Sequence, residues 1–159
     1  MKHKMEDALS ATRSAYEEGV VAGGGTALLK VALEVQKHLE KQNARKSDEY
    51  KAGFSIIVKA LEAPIRQIVK NSGKKDEGVV VNEVKENKAI NYGYNAQEDK
   101  YMEDMVKSGI IDPLKVTRMA LENSVSIAAI LLTTEVAITD KKEEKDSLPP
   151  APTGQMPMM

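Results

Sequence analysis

From Thr26 to about Gln42 the apolar positions Leu28, Val31, Ala32, Val35 and Leu39 recur at i, i+3, i+4, i+7 and i+11, with Lys30, Glu34, Lys37 and Lys41 between them. That is the period of an amphipathic helix with one apolar stripe. A second stripe, Phe54, Ile57, Val58, Leu61, Ile65, Ile68 and Val69, predicts another helix. Pro64 in its middle predicts a kink or restart near Glu62 to Pro64, because proline removes a hydrogen bond and crowds the preceding turn. Upstream, EDALSATRSAYEE (residues 6–18) is rich in helix formers up to Gly19 and predicts a helix that starts upstream of the residues given. Downstream, Asp112 is expected as an N-cap with Pro113 in the first turn, heading a helical pattern that runs to Thr139. Its stretch Val125 to Leu132 is apolar almost all round and is expected at the centre of the core.

Shorter elements lie between these. QNARKSDEY (42–50) reads as a polar turn and NSGKKDEG (71–78) as a loop, while VVVNEV (79–84) fits a short strand or the opening of a helix. AINYGYNA predicts a small hairpin within 89–96 or a tight bend around Gly93, and EDKYMEDMVKSG (98–109) a short helix closed by Gly109. DKKEEKDSLPPAPTGQMPMM (140–159) is charged and proline-rich, and is expected to be disordered. The predicted class is mainly α, a helical bundle with one small hairpin.

Composition narrows the function. The chain has 159 residues, the size of one ordinary domain. One Phe, five Tyr and no Trp leave the core to aliphatic residues and methionine, which suits packed helices. Lys plus Arg number 23 against 24 for Asp plus Glu, so a net charge of −1 gives no long-range pull toward nucleic acid or an anionic membrane. The absence of cysteine removes disulfides, thiolate metal sites and thiol nucleophiles, and fits a reducing, intracellular setting. MKHKMEDALS has no apolar signal region, and the uninterrupted run AILL is far short of the roughly 18 residues of a membrane span. A soluble chain is expected. His3 and His38 have no partners at ligand spacing, so no metal is assigned to protein side chains.

The candidate chemistry starts at GVVAGGGTALL (19–29). No G-x-x-x-x-G-K-[ST] cradle is present, since Gly73 precedes Lys74 without the earlier glycine or the closing hydroxyl residue. A dinucleotide G-x-G-x-x-G fails too, because Leu28 stands where the third glycine belongs. A helix cap needs one glycine with positive φ, whereas Gly23, Gly24 and Gly25 are three in a row. The triplet is read either as a helix C-cap followed by a second helix or as room for close approach of an anion or a polar ligand at the N-terminus of the next helix.

EDALSATRSAYEEGVVAGGGTALL resembles group I chaperonins, the 60 kDa family, where the chain runs from the intermediate domain back into the equatorial domain. The resemblance continues through KALEAPIRQIVKNSG, NYGYNA and GIIDPLKVTRMALENSVSIAAILLTTEVAITD, from about residue 5 to 140. It implies an ATP-driven, cytoplasmic protein-folding machine of two stacked seven-membered rings, with a co-chaperonin and unfolded polypeptides as partners. It also implies that this is only the returning portion: 1–18 ends the intermediate segment, 19–139 is the C-terminal half of the equatorial domain, and 140–159 is a tail. The phosphate-binding loop, most ligands of the magnesium that accompanies ATP or ADP, and the polypeptide-binding domain would lie in the rest.

The resemblance also assigns roles to single residues. Asp7 matches the aspartate that positions or activates the attacking water, a task open to a carboxylate. Gly24, flanked by Gly23 and Gly25, matches a glycine whose backbone packs on the nucleotide, so that missing side chains would let adenosine lie on the main chain. Asn95 and Ala96 match residues at the adenine end, Ile110 an apolar contact to the base, and Asp112 the carboxylate that accepts hydrogen bonds from the ribose. Arg66 matches an arginine of the ring-to-ring contact, although Lys74 and Lys75 stand where acidic partners are usual. Read without the resemblance, Asp7 is an ordinary surface acid, Asn95 a local turn former and Asp112 a helix cap. Two functional readings follow: a chaperonin fragment that hydrolyses little by itself, or a catalytically silent helical module that associates with itself or a partner.

Overall fold

The computed structural model describes residues 2–42 and 47–140. The turn expected over 43–46 and the tail from 141 onward lie outside them. The element order is α1 (Lys2–Glu18), β1 (Val20–Ala22), α2 (Thr26–Gln42), α3 (Asp48–Ser72), α4 (Glu77–Glu86), β2 (Gly93–Asn95), β3 (Lys100–Met102), β4 (Ile111–Pro113) and α5 (Leu114–Thr133). Two antiparallel pairs, β1 with β4 and β2 with β3, are the sheet structure of the described residues.

The core forms where α2, α3 and α4 meet the β2–β3 hairpin. Leu29, Ile65, Val69, Val80, Val81, Val84 and Tyr94 make one buried cluster, with Tyr92, Ala96 and Tyr101 packed against it. On α2 the core side is Thr26, Leu29 and Ala32, whereas Val31 of the predicted stripe is 48% exposed. α2 is therefore apolar on two sides. Its second side, with Val31 and Val35, lines an open groove of about 1250 Å³ that also takes in Phe54 and Ile90.

α3 is continuous through Pro64, so of the expected kink or restart the restart does not occur. Packing of its Leu61, Ile65 and Val69 face on both sides of the proline outweighs the lost hydrogen bond. Ser47 caps its start, so Asp48 to Tyr50 are helical rather than part of the turn. The loop after Ser72 is shorter than expected. Gly73 closes α3 with φ +62, and Asp76 opens α4 by accepting from the amides of Gly78 and Val79. That cap settles 79–84 as helix.

Three expectations are corrected. The hairpin spans residues 93–102 rather than 89–96: its turn is Ala96–Asp99, and Gly93 pairs with Met102 inside the first strand. Residues 98–109 are not a helix. Lys100–Met102 is β3, and Asp104 draws the following residues into turns by accepting from the amides of Val106 and Lys107. Asp112 is not the cap of α5, because its backbone is held in β4 opposite Val21; Pro113 takes the capping position without a side-chain bond.

The largest correction concerns α5. No residue of it is buried: Ile127 is 60% exposed, Ile130 63% and Leu131 68%. Its first turns are fastened to α1, where Arg118 grips Glu18 through both carboxylate oxygens at 2.6 and 3.0 Å and Lys115 pairs with Glu17. Beyond them no described element covers the apolar stretch. Averaged over 18 residues its mean hydropathy is 1.2, long and apolar enough to cross a membrane, whereas the sequence expectation counted only an unbroken run. A buried core helix gives the same signature.

Candidate functional site

The β1–β4 pairing brings the glycine loop to the Ile110–Asp112 segment. Val21 lies opposite Asp112, and the Gly23 amide donates to the Ile110 carbonyl at 2.9 Å. The loop then turns through Gly24 (φ +66) and Gly25 (φ +77) into α2. A side chain at Gly23 would lie 3.1 Å from the Ile110 carbonyl, one at Gly24 3.3 Å from Met105 Cε and 3.7 Å from the Tyr94 carbonyl, and one at Gly25 2.7 Å from the Ile65 amide nitrogen. Each missing side chain thus makes room for protein. This differs from the expectation that they are missing for adenosine; a ligand would meet the loop's remaining backbone surface.

Met105, fully buried, is the hub that joins the loop to the hairpin. It lies against Gly24 and also against Gly93, whose absent side chain leaves space for Met105 and for the Thr26 hydroxyl. Its amide donates to Asn91 and its carbonyl accepts from Ile110, so one residue ties three segments. Next to Tyr94 stand Asn95 and Ala96. The Asn95 side-chain oxygen accepts from the amides of Gln97 (3.0 Å) and Glu98 (3.3 Å), which leaves its NH2 for other partners. Ala96 packs on the core cluster.

Asp112 has the most unusual electrostatics of the group. It is partly buried, and burial pushes its carboxyl above the ordinary aspartate range. Among the described residues no side chain or amide donates to that carboxylate. Such a group gains from a hydrogen-bond donor brought by a ligand. Thr26 has the one buried side-chain polar atom without a partner among the described residues.

Of the eight residues expected at the nucleotide, seven lie on the segments these contacts join: Gly23, Gly24, Gly25, Ile110 and Asp112 directly, and Asn95 and Ala96 beside Tyr94. Asp7 is not among them. It is exposed on α1, and helical rise puts it roughly 16 Å along the axis from Glu18. Arg66 donates to the buried Glu62 at 2.9 Å, a carboxylate that Lys85 also reaches. Burial opposes ionisation of Glu62, but these two cations hold its carboxyl below the ordinary range. Among the described residues no cluster of three or more His, Cys, Asp or Glu could hold a metal ion. None of the seven lines the groove beside α2.

Met105 and Tyr94 were missed by the sequence reading. Spacing gives no signal for Met105, which is read as one more apolar residue of a helix. Tyr94 lies inside the NYGYNA motif, but nothing in the motif marks it as buried.

The sequence model of the TCP-1/cpn60 chaperonin family matches residues 1–142, which include all five helices. Among solved structures the chain is similar to the open-state monomer of a group II chaperonin from Methanococcoides burtonii, at 23% identity and a TM-score of 0.71 over 84% of this chain. It is also similar to a group III chaperonin in the open state, at 25% identity and a TM-score of 0.67 over 79% of this chain. It spans 33% and 25% of the lengths of those two chains. The mainly α fold is thus that of the helical equatorial portion of a chaperonin, and the chain belongs to the TCP-1/cpn60 chaperonin family.

Proposed function

We propose that this chain is the returning, C-terminal portion of a group I chaperonin and supplies the adenosine side of its nucleotide site. The observation that carries this reading is that the glycine loop pairs with the Ile110–Asp112 segment and meets Tyr94, beside Asn95 and Ala96, while Asp112 is a partly buried carboxylate without a donor among the described residues. A ribose brings two hydroxyl donors, which suit that carboxylate. In this reading the backbone of the glycine loop and the Ile110 side chain take the rest of the nucleoside. Among the described residues no group of three or more His, Cys, Asp or Glu is placed to hold a metal ion, and in this reading most magnesium ligands come from the rest of the chaperonin.

In this reading residues 1–18 end the intermediate segment, 19–139 form half of the equatorial domain, and the complete protein is a cytoplasmic ATPase. It works as two stacked seven-membered rings, with co-chaperonin and unfolded polypeptides bound by other domains. Asp7 serves hydrolysis only there, after a movement that brings α1 over the nucleotide. The isolated chain hydrolyses little, because phosphoryl transfer needs electrostatic stabilisation from groups outside it.

A thermal melt with and without magnesium ADP, repeated for Asp112→Ala, tests the reading. A ligand that binds only the folded form stabilises it by about 2.7 kcal/mol at a hundredfold excess over Kd. A midpoint that rises in the wild type but not in the variant supports it. A sharp melt that ADP leaves unmoved refutes nucleotide binding by this portion.

The exposed apolar face of α5 favours a second reading, a silent self-association module. Molecular mass in solution separates the two. A monomer at all concentrations refutes self-association.

A further inference from the structure

The turn that carries Asn95 and Ala96 is held from outside the hairpin. Asp99, its last residue, has φ +59 and is the one non-glycine residue with positive φ among the described residues. That conformation costs an L-residue energy unless its surroundings fix it. Three contacts hold the turn, one from within the hairpin and two from the α3–α4 turn. The Tyr94 hydroxyl donates to the Asp99 carboxylate at 2.6 Å, the Lys75 ammonium lies 3.4 Å from the same oxygen, and Lys74 donates to the Gln97 carbonyl at 2.6 Å. The Lys75 ammonium also sits over the Tyr101 ring, 4.6 Å from its centroid, and 5.4 Å from that of Tyr94. It therefore occupies a corner made of two aromatic rings and a carboxylate, each of which attracts a cation.

Lys75 can act as a fixed post because its own segment is clamped at both ends. Gly73 closes α3 on one side, and Asp76 caps α4 on the other. The aromatic side is equally firm. Tyr101 stacks parallel to Tyr92 at 6.0 Å, and Tyr94 is buried, with its phenol pushed up to about 12 by burial and by Asp99. We infer that Lys75 is a positioning residue: from the α3–α4 turn it holds Asp99, and through it the Ala96–Asp99 turn that presents Asn95 and Ala96 to the candidate nucleotide site. The consequence for binding rests on the nucleotide reading above, whereas the positioning rests on these contacts alone.

Amide hydrogen exchange on the full chain tests the positioning without any ligand. The amides of Gln97 and Glu98 donate to Asn95 and report the turn, while those of Val81 and Val84 report the core. Lys75→Met, which keeps the stem and removes the charge, is expected to speed exchange at Gln97 and Glu98 by about three- to tenfold, and to leave Val81 and Val84 unchanged. Lys75→Arg keeps a cation over the rings and restores the wild-type rates, and Asp99→Asn repeats the Lys75→Met effect. Unchanged turn amides, or an equal acceleration at Val81 and Val84, overturn the inference. Calorimetric titration with ADP then reads the consequence: Kd rises by the same factor in Lys75→Met and not in Lys75→Arg. A wild-type chain that gives no ADP heat overturns the nucleotide reading and the binding consequence with it, while the exchange rates decide the positioning by themselves.

Discussion

Alanine at each position of the glycine triplet should cost different amounts of stability, in an order set by what the new Cβ meets. At Gly25 it would lie 2.7 Å from the Ile65 amide nitrogen and 3.0 Å from its Cα, which is helix backbone and cannot step aside. The φ of +77 adds strain of its own. Roughly 1–2 kcal/mol for the left-handed backbone and about 1–3 kcal/mol for overpacking make a loss of roughly 2–5 kcal/mol. At Gly24 the φ of +66 carries the same backbone cost, but the closest atom is the mobile Met105 methyl at 3.3 Å. About 1–2 kcal/mol is expected there. At Gly23 the φ is not positive and the clash is with the Ile110 and Ile111 backbone at 3.1 Å, so about 1–2 kcal/mol comes from packing alone. Each kcal/mol lowers Tm by roughly 2–4 °C for a chain of this size. Thermal melts without nucleotide therefore rank Gly25→Ala as the worst by several degrees. If Gly25→Ala melts with the wild type and loses only its response to ADP, the glycine is there for a ligand and the packing explanation is wrong.

Further outcomes follow from the charged groups and from α5. Asp112 has a raised folded pKa from burial, so its contribution to stability is present below its unfolded pKa and lost as pH rises through the folded one. Asp112→Asn should thus melt slightly higher than the wild type at neutral pH in the absence of ligand while losing the ADP response, and a lower melt contradicts this. Only the ionised carboxylate accepts both ribose donors, so ADP affinity in titrations should fall on acidification at a higher pH than an ordinary aspartate would give. Glu62 behaves in the opposite way, since its depressed folded pKa gives stability that is lost as pH falls through it; Glu62→Gln should flatten the acid limb of a stability–pH curve and cost about 1–3 kcal/mol at neutral pH. Leu131→Glu, on a side chain 68% exposed, should change the melt by under about 0.5 kcal/mol and reduce any concentration-dependent mass in sedimentation.

Helices were legible where periodicity was long. α1, α2 and α3 stand where the apolar spacing and the helix formers put them, and α5 does so up to Thr133, short of the expected end at Thr139. Periodicity shows that a helix is apolar but not what covers it, which is why Val125–Leu132 was expected in a core and is found exposed. Local signals lost where tertiary pairing competed: Asp112 and Pro113 carry capping chemistry, yet the β1 strand takes both. The hairpin was displaced because Gly93 looks like a turn residue, whereas it is glycine so that Met105 and Thr26 can sit beside it. At the candidate site, the motifs named residues on the paired segments, but the long-range contacts of Met105 and Lys75 leave no local trace in the sequence.

Assigned amide spectra during titration with magnesium ADP test the placement of the adenosine site most directly. Saturable shifts centred on Gly24, Asn95, Ala96, Ile110 and Asp112, with Asp7 unmoved, are the expected result. Shifts confined to the groove residues Val31, Phe54 and Ile90, or no saturable shift at all, would contradict it.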